Sequence, residues 1–273
     1  MKSTLIIISI FLSIVACSRN VDRSLDLNIN ELSIRSNFAG INIQKNYKTT
    51  FDSDNRLEQI RYQEIGYGDT LIVNYTIDYE SNGLPFKIYS QFLKSFGGID
   101  SIPRIAIEFE YENDTLKSLI YDQVILGDIN YQKGNLKSLV YDYFDYNADM
   151  SKYIDTTRTR KFWIETDSRG NITRAYERKL YKKQYFDVKL TYDSMPNPYY
   201  LNVLCLIPEP DFIPFFSKNN WTQTMTNDDS SKIIESRSIT YNKLKYPTII
   251  KSVDEFDFVS IDSINYKSRP NGF

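Results

Sequence analysis

Residues 111–122 read YENDTLKSLIYD and residues 131–142 read YQKGNLKSLVYD. The two phrases match at Tyr, at Leu-Lys-Ser-Leu and at Tyr-Asp, in the same register. A phrase written twice in succession marks a copied structural unit, and a looser template extends it along the chain. The template is an aromatic residue, four or five turn-formers, an aliphatic, two polar residues and a second aliphatic. Phe51 with Leu57 and Ile60 fits it, and so do Tyr79 with Leu84 and Ile88. Tyr111 with Leu116 and Leu119, and Tyr131 with Leu136 and Leu139, are the closest copies. The turn returns at Asp167-Ser168-Arg169-Gly170-Asn171-Ile172, and residues 241–246 carry a degraded copy.

Each unit reads as one hairpin. Asn, Asp and Gly tolerate positive φ, so the chain reverses tightly at Asn-Asp, Asn-Gly or Arg-Gly-Asn. The flanking runs alternate at period two. In Ile105-Ala106-Ile107-Glu108-Phe109-Glu110-Tyr111-Glu112 the odd positions are apolar, and three of the four even ones are carboxylates. That is a strand with one covered and one wet face. Roughly ten to twelve such strands in series, joined by short loops, predict an all-β, antiparallel up-and-down meander. A hairpin cannot bury its apolar face alone, and a meander this long must curl into a sheet or barrel-like roll.

One segment cannot join that meander. Pro196, Pro198, Pro208, Pro210 and Pro214 crowd a stretch rich in large apolar residues. Proline excludes a central strand, and exposed apolar chain would be insoluble, so a plug packed on the concave face of the sheet is expected. The competing reading is a ligand or partner surface made of Tyr199, Tyr200, Phe212, Phe215, Phe216 and Trp221.

The N-terminus addresses the chain. Lys2 precedes an apolar core over residues 5–15, eleven residues long. A ~30 Å hydrocarbon layer needs about 20 residues, so this core reads as a secretion signal and not a span. Ile14-Val15-Ala16-Cys17 resembles a bacterial lipobox, which makes Cys17 the expected lipidation site. The domains expected are a signal over 1–16, a lipidated polar tether over 17–45 and a single β domain over 46–273. Acyl chains would be the membrane contact, each contributing about 0.8 kcal/mol per buried CH₂, and would place the chain at the outer membrane, facing the periplasm or the surface.

Composition narrows the chemistry. Histidine is absent, which removes Ser-His-Asp and Cys-His nucleophiles and His-ligated zinc. With 33 basic and 35 acidic residues the chain has no basic stripe for nucleic acid. Cys205 has no partner once Cys17 is acylated, so no internal disulfide is expected. No enzyme activity, cofactor or metal is expected. The partners expected are the membrane through the lipid, and a glycan or an envelope protein.

Three features together carry a family resemblance: the lipobox, the Y-x₄-L-x₂-L hairpins, and Tyr192-Asp193-Ser194-Met195-Pro196-Asn197-Pro198-Tyr199 followed by Ser217-Lys218-Asn219-Asn220. They resemble secreted Bacteroidetes lipoproteins that carry a domain of unknown function with a porin-like β fold. The resemblance covers about residues 47–267 and implies fold and address, with no catalytic residues. This chain departs from it in having few glycines at its turns. The hairpins are also similar to the YD repeats of toxin-delivery shells, but about six copies are too few to wind a closed shell.

Other constellations have bland explanations beside the sharp ones. Glu108, Glu110 and Glu112 share a strand face at roughly 6.5–7 Å steps. They suit a solvated face better than a paired-carboxylate glycosidase or a calcium site. Asp142, Asp145 and Asp149 read as a hairpin end before a weak calcium loop. Tyr141, Tyr143, Tyr146, Tyr153, Trp163 and Trp221 are the pool for sugar stacking, although cross-strand pairing uses the same residues. Asp69-Thr70-Leu71, Asp100-Ser101-Ile102, Asp114-Thr115-Leu116 and Asp262-Ser263-Ile264 resemble a Bacteroidetes O-glycosylation signal, and they equally suit turn chemistry.

Overall fold

The computed structural model describes residues 27–38, 41–66, 68–95, 98–121, 124–132, 134–146, 152–154, 159–177, 187–200, 202, 206, 213, 216–226 and 232–268. Its turns show why the template repeats. At 52–56, 80–84, 167–171, 242–246 and 254–258 the first residue's N–H donates to the fifth residue's carbonyl, and the fourth N–H donates to the first carbonyl. The fourth residue then needs a positive φ: Asn55 at 62°, Gly83 at 84°, Gly170 at 91°, Lys245 at 68° and Asp257 at 62°. The first side chain holds the loop. Asp52 Oδ1 accepts from the N–H groups of Asp54 and Arg56 at 3.0 and 2.8 Å. Asp167, Asn242 and Asp254 repeat that pair of contacts. Asn113 and Asp114, at φ 52° and 58°, make the two-residue turn that matches strand twist.

These turns join β1 (Leu27–Phe38), β2 (Ile41–Phe51), β3 (Leu57–Gly66), β4 (Asp69–Tyr79), β5 (Pro85–Ser95) and β6 (Gly98–Glu112). Next come β7 (Thr115–Tyr121), β8 (Val124–Gln132), β9 (Asn135–Tyr146) and the short β10 (Lys152–Ile154). The rest are β11 (Arg160–Thr166), β12 (Ile172–Glu177), β13 (Asp187–Pro196), β14 (Asn219–Thr226), β15 (Ile233–Tyr241), β16 (Pro247–Asp254) and β17 (Val259–Ser268). Every pairing is antiparallel and between sequence neighbours, except that β9 pairs with β11 and β1 pairs with β17 as well as β2. The result is a closed barrel of sixteen strands, with β10 set beside the ring on the end of β9.

The template's tyrosine has a specific task. Tyr79 donates its hydroxyl to the carbonyl of Leu57 at 2.8 Å, Tyr111 to Pro85 at 2.9 Å and Tyr266 to Pro247 at 2.7 Å. Each ties the end of one strand to the start of the strand before it, at the end of the hairpin away from its loop. The aliphatics of the template face inward. Ile60, Ile88, Leu119 and Leu139 are 0–1% exposed and belong to one core with residues from around the ring.

The all-β antiparallel meander of hairpins is as expected, and of the two forms left open, curled sheet or barrel-like roll, the chain takes the closed barrel. The strand count exceeds ten to twelve because β1, β11 to β15 and β17 lack the full template. The wall begins at Leu27, so most of the stretch assigned to the tether over 17–45 is strand: β1 closes the ring. Cys17 and the signal segment lie outside the described residues. The outward face is charged nearly all round. Arg35, Lys48, Arg61, Asp78, Glu110, Lys117, Lys137, Lys161, Lys189, Lys251 and Lys267 are exposed and alternate with inward core positions.

Two substitutions test the turn and tyrosine logic. Tyr79→Phe leaves the Leu57 carbonyl without its donor and is expected to cost about 1 kcal/mol. Lys245→Gly relieves a left-handed backbone and is expected to gain about 1 kcal/mol. Urea midpoints at unchanged slope read both; equal stability of all three chains would contradict this account of the repeat.

Candidate functional site in the barrel lumen

The lumen has two unlike halves. At the end that holds turns 52–56, 80–84, 113–114, 167–171 and 242–246, described side chains between β13 and β14 pack with the inward core of the wall. Leu206 is fully buried, and Tyr199 and Phe216 are 8% and 6% exposed in the same core as the wall. Phe216 meets Tyr131 edge-on at 6.4 Å. An eight-stranded barrel can be filled by its own side chains, but sixteen strands enclose more than they fill, so a plug supplies apolar matter.

Polar side chains fix the plug at its two roots. Asn171, fully buried, donates to Asp167 and to Asn219 at 2.9 Å each, and accepts the Asn219 N–H at 2.8 Å. Asn219 donates onward to the Met195 carbonyl at 2.9 Å, and Asn220 to the Pro196 carbonyl at 3.1 Å. Asn197 donates to the Ser217 carbonyl at 2.7 Å, and Ser217 meets the Tyr192 hydroxyl at 3.0 Å. Tyr241 donates to Asp193. The Asp-Ser-Met-Pro-Asn-Pro and Ser-Lys-Asn-Asn stretches are thus the two halves of a latch.

The other half of the lumen is charged. Register carries the inward face past the core. Tyr47 pairs with Tyr62, and two residues further on Lys45 pairs with Glu64. Leu32 pairs with Ile264, and further on Ile34 pairs with Asp262, which also faces Ile250. Ile239 pairs with Ile250, then Arg237 with Ser252 and Glu235 with Asp254. All of these charged groups are half-buried. Arg237 donates to Glu235 at 2.6 Å, and its guanidinium lies 3.4 Å from the centre of the Trp221 ring. Tyr62 donates to Glu64. Burial pushes the Tyr47 hydroxyl well above the usual phenol range, and Tyr75, Asp262 and Glu64 add to the rise. Register sets Asp262, Ile34, Lys45 and Glu64 in one row across β17, β1, β2 and β3. Burial likewise pushes the Asp262 carboxyl up to about 6, against the opposing pull of Arg237. On β5, β7 and β9, Phe92, Tyr121 and Tyr141 face inward, half-buried. Arg160 donates to the buried Glu177 at 2.9 Å.

Of the residues proposed from sequence as a ligand surface, Tyr199, Phe216 and Trp221 are inside the barrel, and Tyr200 is half-buried with Lys218 over its ring at 6.0 Å. Phe212 and Phe215 lie outside the described residues. Glu108, Glu110 and Glu112 face outward on β6 and are matched by Lys87 at 2.8 Å, Ser118, and Lys117 at 2.9 Å. Asp142 accepts from Thr159 at 2.6 Å. Asp149 and the side chain of Asp145 lie outside what is described, as do the side chains of Tyr143, Tyr146 and Tyr153. Trp163 stacks on Tyr176 on the outer wall at 6.0 Å. Sequence reading missed Lys45, Glu64, Glu235, Arg237 and Asp262. Their signal was parity: Lys45, Glu64, Arg237 and Asp262 each sit two positions from an inward residue, Tyr47, Tyr62, Ile239 and Ile264, and Glu235 continues the face of Arg237.

No protein-family model and no curated protein matches the chain. Among solved structures, the barrel is similar to the crystal structure of a porin-like protein from Bacteroides uniformis, with a TM-score of 0.51 and 10% identity. That match covers 88% of this chain and 98% of that one, and it shows a shared porin-like fold. A second likeness, to the Photorhabdus luminescens Tc holotoxin pore, has a TM-score of 0.32 at 11% identity. It covers 82% of this chain and 10% of that one, and carries no argument for a repeat shell.

The latch and the charged half give separate tests. Asn171→Ala strands the Asn219 N–H in a buried site, and a loss of about 2–4 kcal/mol is expected in chemical denaturation. For Asp262, the folded carboxyl at about 6 lies above the unfolded value of about 3.9. Its favourable contribution is therefore complete below about pH 4 and is lost as pH rises through about 6. Asp262→Asn is expected to gain up to about 3 kcal/mol at pH 7 and little near pH 4. A melting-temperature difference independent of pH would contradict the burial of this carboxyl.

Proposed function

We propose that this chain is a lipid-anchored protein of the cell envelope whose barrel stands in water and serves as a binding or structural component. The observation that carries the reading is the outer wall. A transmembrane barrel needs an apolar band about 25 Å tall facing lipid, flanked by aromatic girdles, and an Arg or Lys at mid-bilayer costs ~2–4 kcal/mol. Here exposed charges recur on eleven strands of the ring, while the inward face carries the aliphatic core. The polarity is inverted relative to a membrane channel, and the plug occupies one half of the lumen. Attachment would then come from acyl chains on Cys17, two or three of which hold a protein at a membrane without a spanning segment. The porin-like fold is kept while its lipid-facing surface is replaced by a solvated one. The proposal includes no catalytic step.

Alkaline carbonate extraction of membranes tests this reading. The wild-type chain is expected in the pellet with incorporated palmitate, and Cys17→Ala in the supernatant without it. A Cys17→Ala chain that stays in the pellet, as an integral barrel would, overturns the proposal.

A further inference from the structure

We propose that the charged half of the lumen binds a neutral saccharide, one end of which enters the barrel as far as the plugged core. This inference rests on the reading of the barrel as a water-exposed binding component, and it gives that reading a ligand class and a place.

The lining selects the ligand. Glu64, Glu235 and Asp262 face Lys45 and Arg237 from neighbouring strands on one wall, so an anion meets more like charge than unlike. A bound metal ion needs at least three such ligands converging, and none do so among the described residues. A wholly apolar ligand would strip water from five charged groups with nothing to replace it. A sugar meets neither objection. Its hydroxyls donate to the carboxylates and accept from the ammonium and guanidinium, in the stronger, charge-assisted kind of hydrogen bond. Its C–H faces suit the inward rings of Phe92, Tyr121 and Tyr141 on β5, β7 and β9.

The lining is also costly as mere structure. Elsewhere the buried inward face is mostly Ile, Leu, Val, Phe and Tyr, with Thr49 and Glu177 among the polar exceptions. Replacing a buried ion pair by well-packed apolar groups is often neutral or stabilising. In the charged half the inward positions are instead half-exposed and polar. Arg237 lies flat on Trp221 and bonds Glu235, so the guanidinium is held with its direction fixed.

The two tryptophans of the chain allow a direct test. Trp163 is on the outer wall and Trp221 is in the lumen beneath Arg237. In a full-length Trp163→Phe chain in detergent, emission reports Trp221 alone. It is titrated with neutral hexasaccharides of glucose, mannose, galactose, xylose and N-acetylglucosamine. At least one is expected to give a saturable change, with affinity reduced about tenfold or more by Glu64→Gln and again by Glu235→Gln, each loss being that of one charge-assisted hydrogen bond. Each substitution is made singly, and its melting temperature confirms folding; Lys45→Met serves as a third. No saturable change with any of the sugars overturns the proposal, and so does binding unaffected by all three substitutions. The result is independent of carbonate extraction, which depends on Cys17, so sugar binding and membrane attachment can fail separately.

Discussion

The antiparallel pairing of β1 with β17 is the contact on which the rest of this molecule depends. Ten register pairs from Leu27–Ser268 to Asn37–Val259 join the first strand to the last. Without them the sheet would expose two long edges, with rows of unpaired N–H and C=O groups ready to recruit another chain. With them no edge remains in the ring. Closure also decides which face is inside, and it sets a volume that must then be filled. The plug between β13 and β14 follows from that volume, because the inward aliphatics of sixteen strands need partners nearer the axis. The latch follows from the plug, since an irregular segment inside a barrel carries backbone groups that only side chains can satisfy. Asn171, Asn197, Ser217, Asn219 and Asn220 do this.

Much of the architecture was legible before the structure because it is written locally. Alternation named the strands, and turn residues that tolerate positive φ named the reversals. The five-residue loops obey one rule, a positive φ at the fourth position, whether Asn, Gly, Lys or Asp occupies it. That explains how the chain manages with few glycines: an Asp or Asn at the first position holds the loop, so the strained residue need not be special. The tyrosine's bond to a carbonyl across the strand pair was not legible, because the carbonyl belongs to no motif. β1 was legible only at its start: the alternation at Leu27-Asn28-Ile29 suggests a short strand, but a bulge between Ile29 and Glu31 breaks the period, and its two neighbours carry the strand on to Phe38.

The candidate site was less legible than the fold, for a geometric reason. Period two tells which residues share a face and is silent on which face turns inward. In Asp262-Ser263-Ile264 the serine and threonine-like turn chemistry suggested a loop or a modification signal. The triplet is mid-strand, with Ser263 exposed on the outer wall and Asp262 inside beside Ile264's core position. Lys45 and Glu64 lie on different hairpin arms and are brought face to face only by register. Asp262 falls in one row with Lys45 and Glu64, through Ile34, only because the ring closes between β17 and β1. From the apolar segment between Pro196 and Phe216, Tyr199, Leu206, Ile213 and Phe216 pack with the core of the wall, as its proline and apolar content suggested.

That division of the lumen bears on what a porin-like barrel can become. A channel needs a polar interior along its whole length and an apolar exterior. This chain keeps polar inward positions over one half only, and places charge on the outside. In the other half Leu206, Tyr199 and Phe216 join the inward aliphatics of the wall in one hydrophobic core. Beyond that core the inward charged groups are half-buried, and they suit a ligand that exchanges hydrogen bonds with both signs of charge. Charges with no structural need stay inward where solvent still reaches them, at an energetic cost that Asp262's raised carboxyl makes visible. Strain of that kind is expected where a fold keeps a site rather than where it merely packs.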